Sequence, residues 1–107
     1  QAKTYDKCAS LGPGLYIPKD PLSLETKISI EILRSDNVHF TGETSLSQMK
    51  RSPKELTGFL FRETSFEKGV FLMTGTGIVP DNNFSLEQGD TVSISIDLVG
   101  NLVNSVE

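Results

Sequence analysis

From Lys27 onward the chain alternates. Ile28, Ile30 and Ile32 fall on one side and Ser29, Glu31 and Leu33 on the other, the two-residue period of a half-buried β-strand. Ser35-Asp36-Asn37 has turn chemistry, and Val38-His39-Phe40-Thr41-Gly42 follows as a return strand, so the pattern predicts a hairpin. On that second strand Val38 and Phe40 share a face, which leaves His39 on the wetter one. The alternation returns after the tight turn Gln88-Gly89-Asp90. From Thr91 to Leu98, Val92, Ile94 and Ile96 point inward and Ser93, Ser95 and Asp97 outward. Gly100-Asn101 then makes a last turn, and Leu102 to Val106 forms a closing strand. Two shorter apolar runs add candidate strands: Leu15-Tyr16-Ile17, stopped by Pro18 and Pro21, and residues 70–74.

The period changes once. Ser52 is a capping residue, Pro53 suits a first helical position and Glu55 completes a capping box. Leu56, Phe59 and Leu60 then fall at i, i+3 and i+4, a single apolar stripe. This predicts one short helix near 53–63, with Gly58 its weak point. About six strands, one helix and no internal repeat describe a β-rich α+β unit, a single domain over residues 1–107.

Composition narrows the function classes. A net charge of −4 and a pI near 4.9 argue against a non-specific binder of nucleic acid or of an anionic membrane. No stretch approaches the ~20 apolar residues of a membrane span. Cys8 is the only cysteine and His39 the only histidine, so neither an intrachain disulfide, a zinc cluster nor a histidine-based triad is written in the chain. A reducing, cytoplasmic setting is the expectation. The chain begins Gln1-Ala2-Lys3 without methionine, which fits either a cleaved leader or a piece of a longer protein.

The stretch with most chemical promise is Phe71-Leu72-Met73-Thr74-Gly75-Thr76-Gly77-Ile78-Val79-Pro80. Gly75 and Gly77 permit positive φ or a close approach to a ligand, and Thr74 and Thr76 add small hydroxyls. By itself such a string reads first as a structural turn, with an anion-binding loop as the functional alternative.

Four ordered segments resemble the fumarylacetoacetate hydrolase family, in its C-terminal portion. Ala2-Lys3-Thr4-Tyr5-Asp6, followed by Leu11-Gly12-Pro13, is similar to the family's lysine segment. Thr44-Ser45-Leu46-Ser47-Gln48-Met49 before the capped helix resembles its T-S-x-x-M-like element. Gly69 to Thr76 resembles its strand ending in T-G-T. Gln88-Gly89-Asp90 and then Gly100-Asn101-Leu102-Val103-Asn104-Ser105-Val106 resemble its ending. Most hydrolase and decarboxylase members continue T-G-T with P-x-G-V-G. Here Gly77-Ile78-Val79-Pro80 follows, which is similar to the branch of sugar-acid dehydratases acting on 2-keto-3-deoxy-arabonate.

The resemblance implies mixed β-sheets of a roll or sandwich kind, a small 2-keto acid substrate, Mg²⁺ and a homo-oligomer of two or more subunits. It implies Lys3 as the catalytic residue, its ammonium beside a metal-stabilised enolate, with Thr76, Gly75, Gly77 and Arg51 binding the substrate. The family's metal ligands, an E-x-E pair and a later aspartate, lie upstream of the lysine segment, and no E-x-E occurs in this sequence. The expectation is therefore a C-terminal part of a longer enzyme, inactive as an isolated chain, with no metal ligand of its own. Three other readings stand beside the dehydratase: a hydrolase of acylpyruvates or fumarylacetoacetate, an inactive structural or dimer-forming module, and a secreted binding module.

Overall fold

The computed structural model describes residues 5–107. Four strands form one sheet: β1 (Lys27–Arg34), β2 (Asn37–Ser45), β3 (Thr91–Ile96) and β4 (Gly100–Ser105), in the order β2-β1-β3-β4. All three pairings are antiparallel, and the β-rich α+β class is as expected. One α-helix, α1 (Pro53–Leu60), lies in the long connection between β2 and β3, preceded by a 3₁₀ turn at Leu46–Gln48.

The alternation seen in the sequence is the register of the sheet. Ile28, Ile30 and Ile32 stand opposite Ile96, Ile94 and Val92 on one side, and opposite Thr44, Gly42 and Phe40 on the other. Leu102 continues this face onto β4, opposite Ile94. The reverse face carries Ser29, Glu31, Thr41, Glu43, Ser93 and Ser95, whose hydroxyls and carboxylates face solvent along the central strands. One face apolar and one polar is the usual economy of an antiparallel sheet.

The first hairpin turns through Ser35 and Asp36, both with positive φ (49° and 62°), the signature of a type I′ turn. Its geometry matches the strand twist closely enough that two non-glycine residues accept it. Between Ile32↔Phe40 and Leu33↔Val38 the register slips by one residue, which makes His39 an unpaired bulge. The bulge changes the expected facing of β2. Val38 is exposed; His39 is exposed as expected, with its ring 5.6 Å from that of Phe84, and Phe40 lies 5.5 Å from the same ring.

Several expectations need correction. Residues 15–17 and 70–74 are irregular in the structure, not strands. Leu15, Ile17 and Phe71 are largely exposed (72, 79 and 66 %), so no neighbouring strand among the described residues offers the pairing their composition favours. The helix stops at Leu60, where Phe61 caps it, about one turn short of Glu63. Ser52 accepts the Glu55 amide at 3.2 Å as expected, whereas the Glu55 carboxylate turns to Arg51 Nε at 3.8 Å. The last hairpin turns earlier than Gly100-Asn101: Asp97 to Val99 form the loop, with Leu98 at φ 67°. Gly100 (φ 117°) is already the first residue of β4.

Both ends of the β1–β3 seam are closed by polar contacts. At one end Lys27 N–H donates to Asp97 Oδ2 and Asp97 N–H to Lys27 O, each at 3.1 Å. At the other, Arg34 forms a forked pair with Asp90, Nε to Oδ1 at 2.8 Å and Nη2 to Oδ2 at 2.7 Å. The same guanidinium donates to Ser85 O at 2.8 Å and to Glu87 Oε1 at 2.5 Å. Asp90 also accepts the Glu87 amide at 2.8 Å and is only 1 % exposed. The Arg34 guanidinium first, and the Glu87 amide second, hold the Asp90 carboxyl down at about 2, against an opposing push from burial.

The folded-state value lies below the ordinary 3.8, so this pair stabilises the fold fully above that value. Its contribution is lost as pH falls through about 2. The expected outcome in the intact protein is a thermal midpoint that drops between pH 4 and pH 2, with a shallower drop in Asp90→Asn. That variant should also be less stable at pH 7, because Arg34 loses its buried, forked carboxylate and keeps only the exposed Glu87. Circular-dichroism melts at four pH values across this range check both; parallel acid slopes for the two proteins would remove Asp90 from the effect.

Candidate functional site

Beside the apolar face, next to β2, lies a cavity of about 270 Å³. Its floor and one wall come from Ile28, Thr44, Ser45 and Leu46, the outer ends of the first hairpin and the 3₁₀ turn. A second wall is Gln48, Met49, Lys50 and Arg51, with Leu56 from the helix. The third is the loop Thr74-Gly75-Thr76-Gly77. Two segments far apart in sequence, 44–56 and 74–77, thus meet across one opening.

The loop takes its shape from one backbone conformation, one contact with the sheet and one local hydrogen-bonded turn. Gly75 has φ 95°, a conformation that side chains other than hydrogen rarely adopt, with nothing packed where a Cβ would stand. Gly77 serves differently. A Cβ there would come within 2.9 Å of Thr44 Oγ1, so the missing side chain lets the loop backbone lie against β2. The close approach is to the protein's own sheet. Thr76 Oγ1 accepts the Ile78 amide at 3.1 Å and lies 3.1 Å from Ile78 O, which closes a short hydroxyl turn.

The lining is electrically one-sided. Lys50 and Arg51 contribute two cations and no lining residue is a carboxylate, although the whole chain carries a net charge of −4. The Arg51 guanidinium is exposed and paired only loosely with Glu55, at 3.8 Å one helical turn on. Hydroxyls and amides from Thr44, Ser45, Gln48, Thr74 and Thr76 fill the space between the charges and the apolar residues. Such a lining suits an anion carrying further hydroxyl or keto groups. Among the described residues no three His, Cys, Asp or Glu side chains stand close enough to hold a metal ion.

Of the residues singled out in the sequence, Thr76, Gly75, Gly77 and Arg51 all line this cavity. Lys3 lies outside the described residues. Thr74, which reads as a strand residue, instead lies in the loop and lines the opening. Cys8 is exposed and unpaired, and His39 packs on Phe84, away from the cavity lining. Thr44, Ser45 and Gln48 line the cavity too; they stand in a segment that carries the family resemblance but has no site role assigned, and Lys50, also in the lining, likewise has none. Gly42, a glycine in the middle of an alternating strand, was the available signal that something packs closely on β2 there.

The Gly75 conformation gives a direct test. Gly75→Ala should lower the stability of the intact protein by about 1–3 kcal/mol, since the cost is backbone strain alone. Gly14→Ala, where the backbone imposes no such φ and nothing is nearby, should leave stability nearly unchanged. Urea denaturation of both variants checks this; a neutral Gly75→Ala would mean the loop relaxes freely.

The family model described as fumarylacetoacetate (FAA) hydrolase C-terminal matches residues 1–107. A protein of Haloferax volcanii described as "Probable 2-keto-3-deoxyxylonate dehydratase" is 39% identical over 109 residues, which cover 99% of this chain and 37% of the relative. The 2-dehydro-3-deoxy-D-arabinonate dehydratase of Saccharolobus solfataricus is 34% identical over 110 residues, covering 100% of this chain and 36% of the relative. A solved structure of 2-keto-3-deoxy-D-arabinonate dehydratase, complexed with magnesium and 2,5-dioxopentanoate, superimposes with a TM-score of 0.77 at 32% identity. It covers 84% of this chain and 31% of that one. The apo form of that enzyme matches equally well, with a TM-score of 0.77. The chain therefore spans little more than a third of the length of the curated relatives it matches.

Proposed function

The chain belongs to the fumarylacetoacetate hydrolase family, and on that premise we propose that it forms the substrate-carboxylate side of a dehydratase acting on a 2-keto-3-deoxy sugar acid. The observation that carries the reading is the cavity with two cations and no carboxylate among its lining residues, bordered by the T-G-T-G loop. The relatives described as dehydratases of such acids support the substrate class.

In this reading Arg51 and the exposed backbone of the loop hold the C1 carboxylate of the substrate. The Ile78 amide fixes Thr76 Oγ1 from one side. The Thr76 hydroxyl proton is then free to turn from Ile78 O toward an arriving carboxylate oxygen. Gln48, Ser45 and Thr44 face the hydroxylated tail, and Leu46, Met49 and Leu56 exclude water around it. Lys3 is assigned, by the family resemblance alone, the catalytic role: an ammonium that favours the negative charge developing when C3 loses a proton. The C3 proton and the C4 hydroxyl leave together as one water, and the resulting 5-hydroxy enone tautomerises, losing a proton from C5 and gaining one at C3, through the enol to the 2,5-dioxo acid.

Magnesium belongs to this proposal only as a component of the whole enzyme, by analogy with the neighbour solved with that ion. The residues described here do not form a fitting ligand set, so no step is assigned to the metal. A cytoplasmic homo-oligomer is the corresponding setting. The exposed Leu15, Ile17, Phe71 and Met73 support a chain covered by further protein surface in the assembled enzyme.

Turnover of 2-keto-3-deoxy pentonates by the intact protein, followed by release of the dioxo acid, tests the reading. Lys3→Met should abolish turnover. Thr76→Val should lower kcat/KM about 10- to 100-fold, the scale of one lost polar contact to a charged group (about 1.5–3 kcal/mol), while Thr76→Ser keeps most of it. Cleavage of an acylpyruvate without reaction on the sugar acid would replace the dehydratase by a carbon–carbon hydrolase.

A further inference from the structure

The loop that borders the cavity has to be held at one height above the sheet, and its own hydrogen bonds do not do this. Thr76 and Ile78 bond to each other, and Gly75 has nothing packed beside it. The contact that reaches the sheet lies one residue further on. Gly42 sits mid-strand on β2, opposite Ile30, on the apolar face. A Cβ on Gly42 would overlap Ile78 Cγ2, and it would lie 3.4 Å from Phe40 Cζ and 3.5 Å from Ile30 Cγ2. The gap left by the absent side chain is therefore already filled, by Ile78. Two residues along the same face, Thr44 receives the backbone of Gly77. A glycine in a strand interior weakens pairing and offers no side chain to pack, so its presence here has a use only if something else needs the room.

We propose that Gly42 and Ile78 are positioning residues for the substrate-binding loop. The Ile78 side chain seats in the Gly42 gap and, through its own amide, sets the place of the Thr76 hydroxyl. This rests on the reading of the cavity as a carboxylate site, but the seat itself is a property of the fold. Ile78 is tied to Thr76 by a hydrogen bond and to β2 by packing, so a shift at Gly42 reaches the Thr76 oxygen through one side chain and one amide. Ile78 is half-buried, and its contact with Gly42 leaves no room for an added methyl, so the displaced side chain has to move.

The test uses Gly42→Ala, Ile78→Val, the double variant Gly42→Ala/Ile78→Ala, and Gly58→Ala as a control on the helix, where a Cβ meets nothing within 4 Å. In the intact protein, hydrogen exchange of the Ile78 amide should speed up at least tenfold in Gly42→Ala and less in Ile78→Val. It should return most of the way in the double variant, where the shortened side chain makes room for the added methyl. The same order should appear in KM for the 2-keto-3-deoxy acid, raised about tenfold or more in Gly42→Ala with kcat changed less, and unchanged in Gly58→Ala. Unchanged Ile78 exchange in folded Gly42→Ala overturns the proposal. So does a double variant no better than the single one, since a purely structural loss has no reason to be rescued by a second truncation. Altered exchange with rescue, in a protein that does not turn over the sugar acid, would leave the seat standing and remove the substrate reading.

Discussion

The forked ion pair between Arg34 and Asp90 is the constraint on which the arrangement of this chain turns. It joins the last residue of β1 to the residue before β3, and those two strands form the inner pair of the sheet. A long connection, with the helix and the glycine loop in it, separates β2 from β3. Its return to the sheet is fixed where Ser85 O and the Glu87 carboxylate also bind Arg34. Asp90 fastens β4 as well, since the Val106 amide donates to Asp90 O at 2.8 Å. An almost fully buried carboxylate is tolerated there because the guanidinium and a backbone amide satisfy its oxygens together.

From that fixed point the path of the connection follows. The Phe84 ring lies on Phe40 and the bulged His39, which sets the descending end of the connection over β2. Earlier in the chain, Ile78 and Gly77 settle on Gly42 and Thr44 of the same strand. The loop therefore lies along the side of β2 that also starts the 44–51 segment, and the cavity forms between them. The site is a consequence of two segments using one strand as a shared base. Its positive lining arises because Lys50 and Arg51 precede the helix just where the loop returns.

The chain buries little apolar surface for its size. Ile32 is the one large hydrophobic side chain that is fully buried among the described residues, while Leu15, Ile17, Phe71 and Met73 remain open. An antiparallel sheet with one apolar face ordinarily needs a second layer. Here the connection between β2 and β3 lies against β2 through Gly77, Ile78 and Phe84. The chain matches about a third of each longer relative.

Periodicity by itself determined the sheet. The alternation at 27–33 and 91–96 could bury its isoleucines in only one register, because a slip of one residue turns every side chain to the wrong face. The helix start was equally local: a capping serine and a proline at the first helical position specify it. The ordered T-G-T-G and lysine segments determined the family, and with it which residues to suspect. What the sequence could not decide was everything that depends on a partner distant along the chain. Residues 70–74 have the composition of a strand, yet pairing needs a free edge at the right place. Gly77 allowed close approach in any setting, and only the fold revealed that the approaching group is Thr44. The bulge at His39, the overlap of Ile78 with the Gly42 gap and the Arg34–Asp90 fork are likewise decided by tertiary contact, since each joins residues whose separate identities carry no mark of the other.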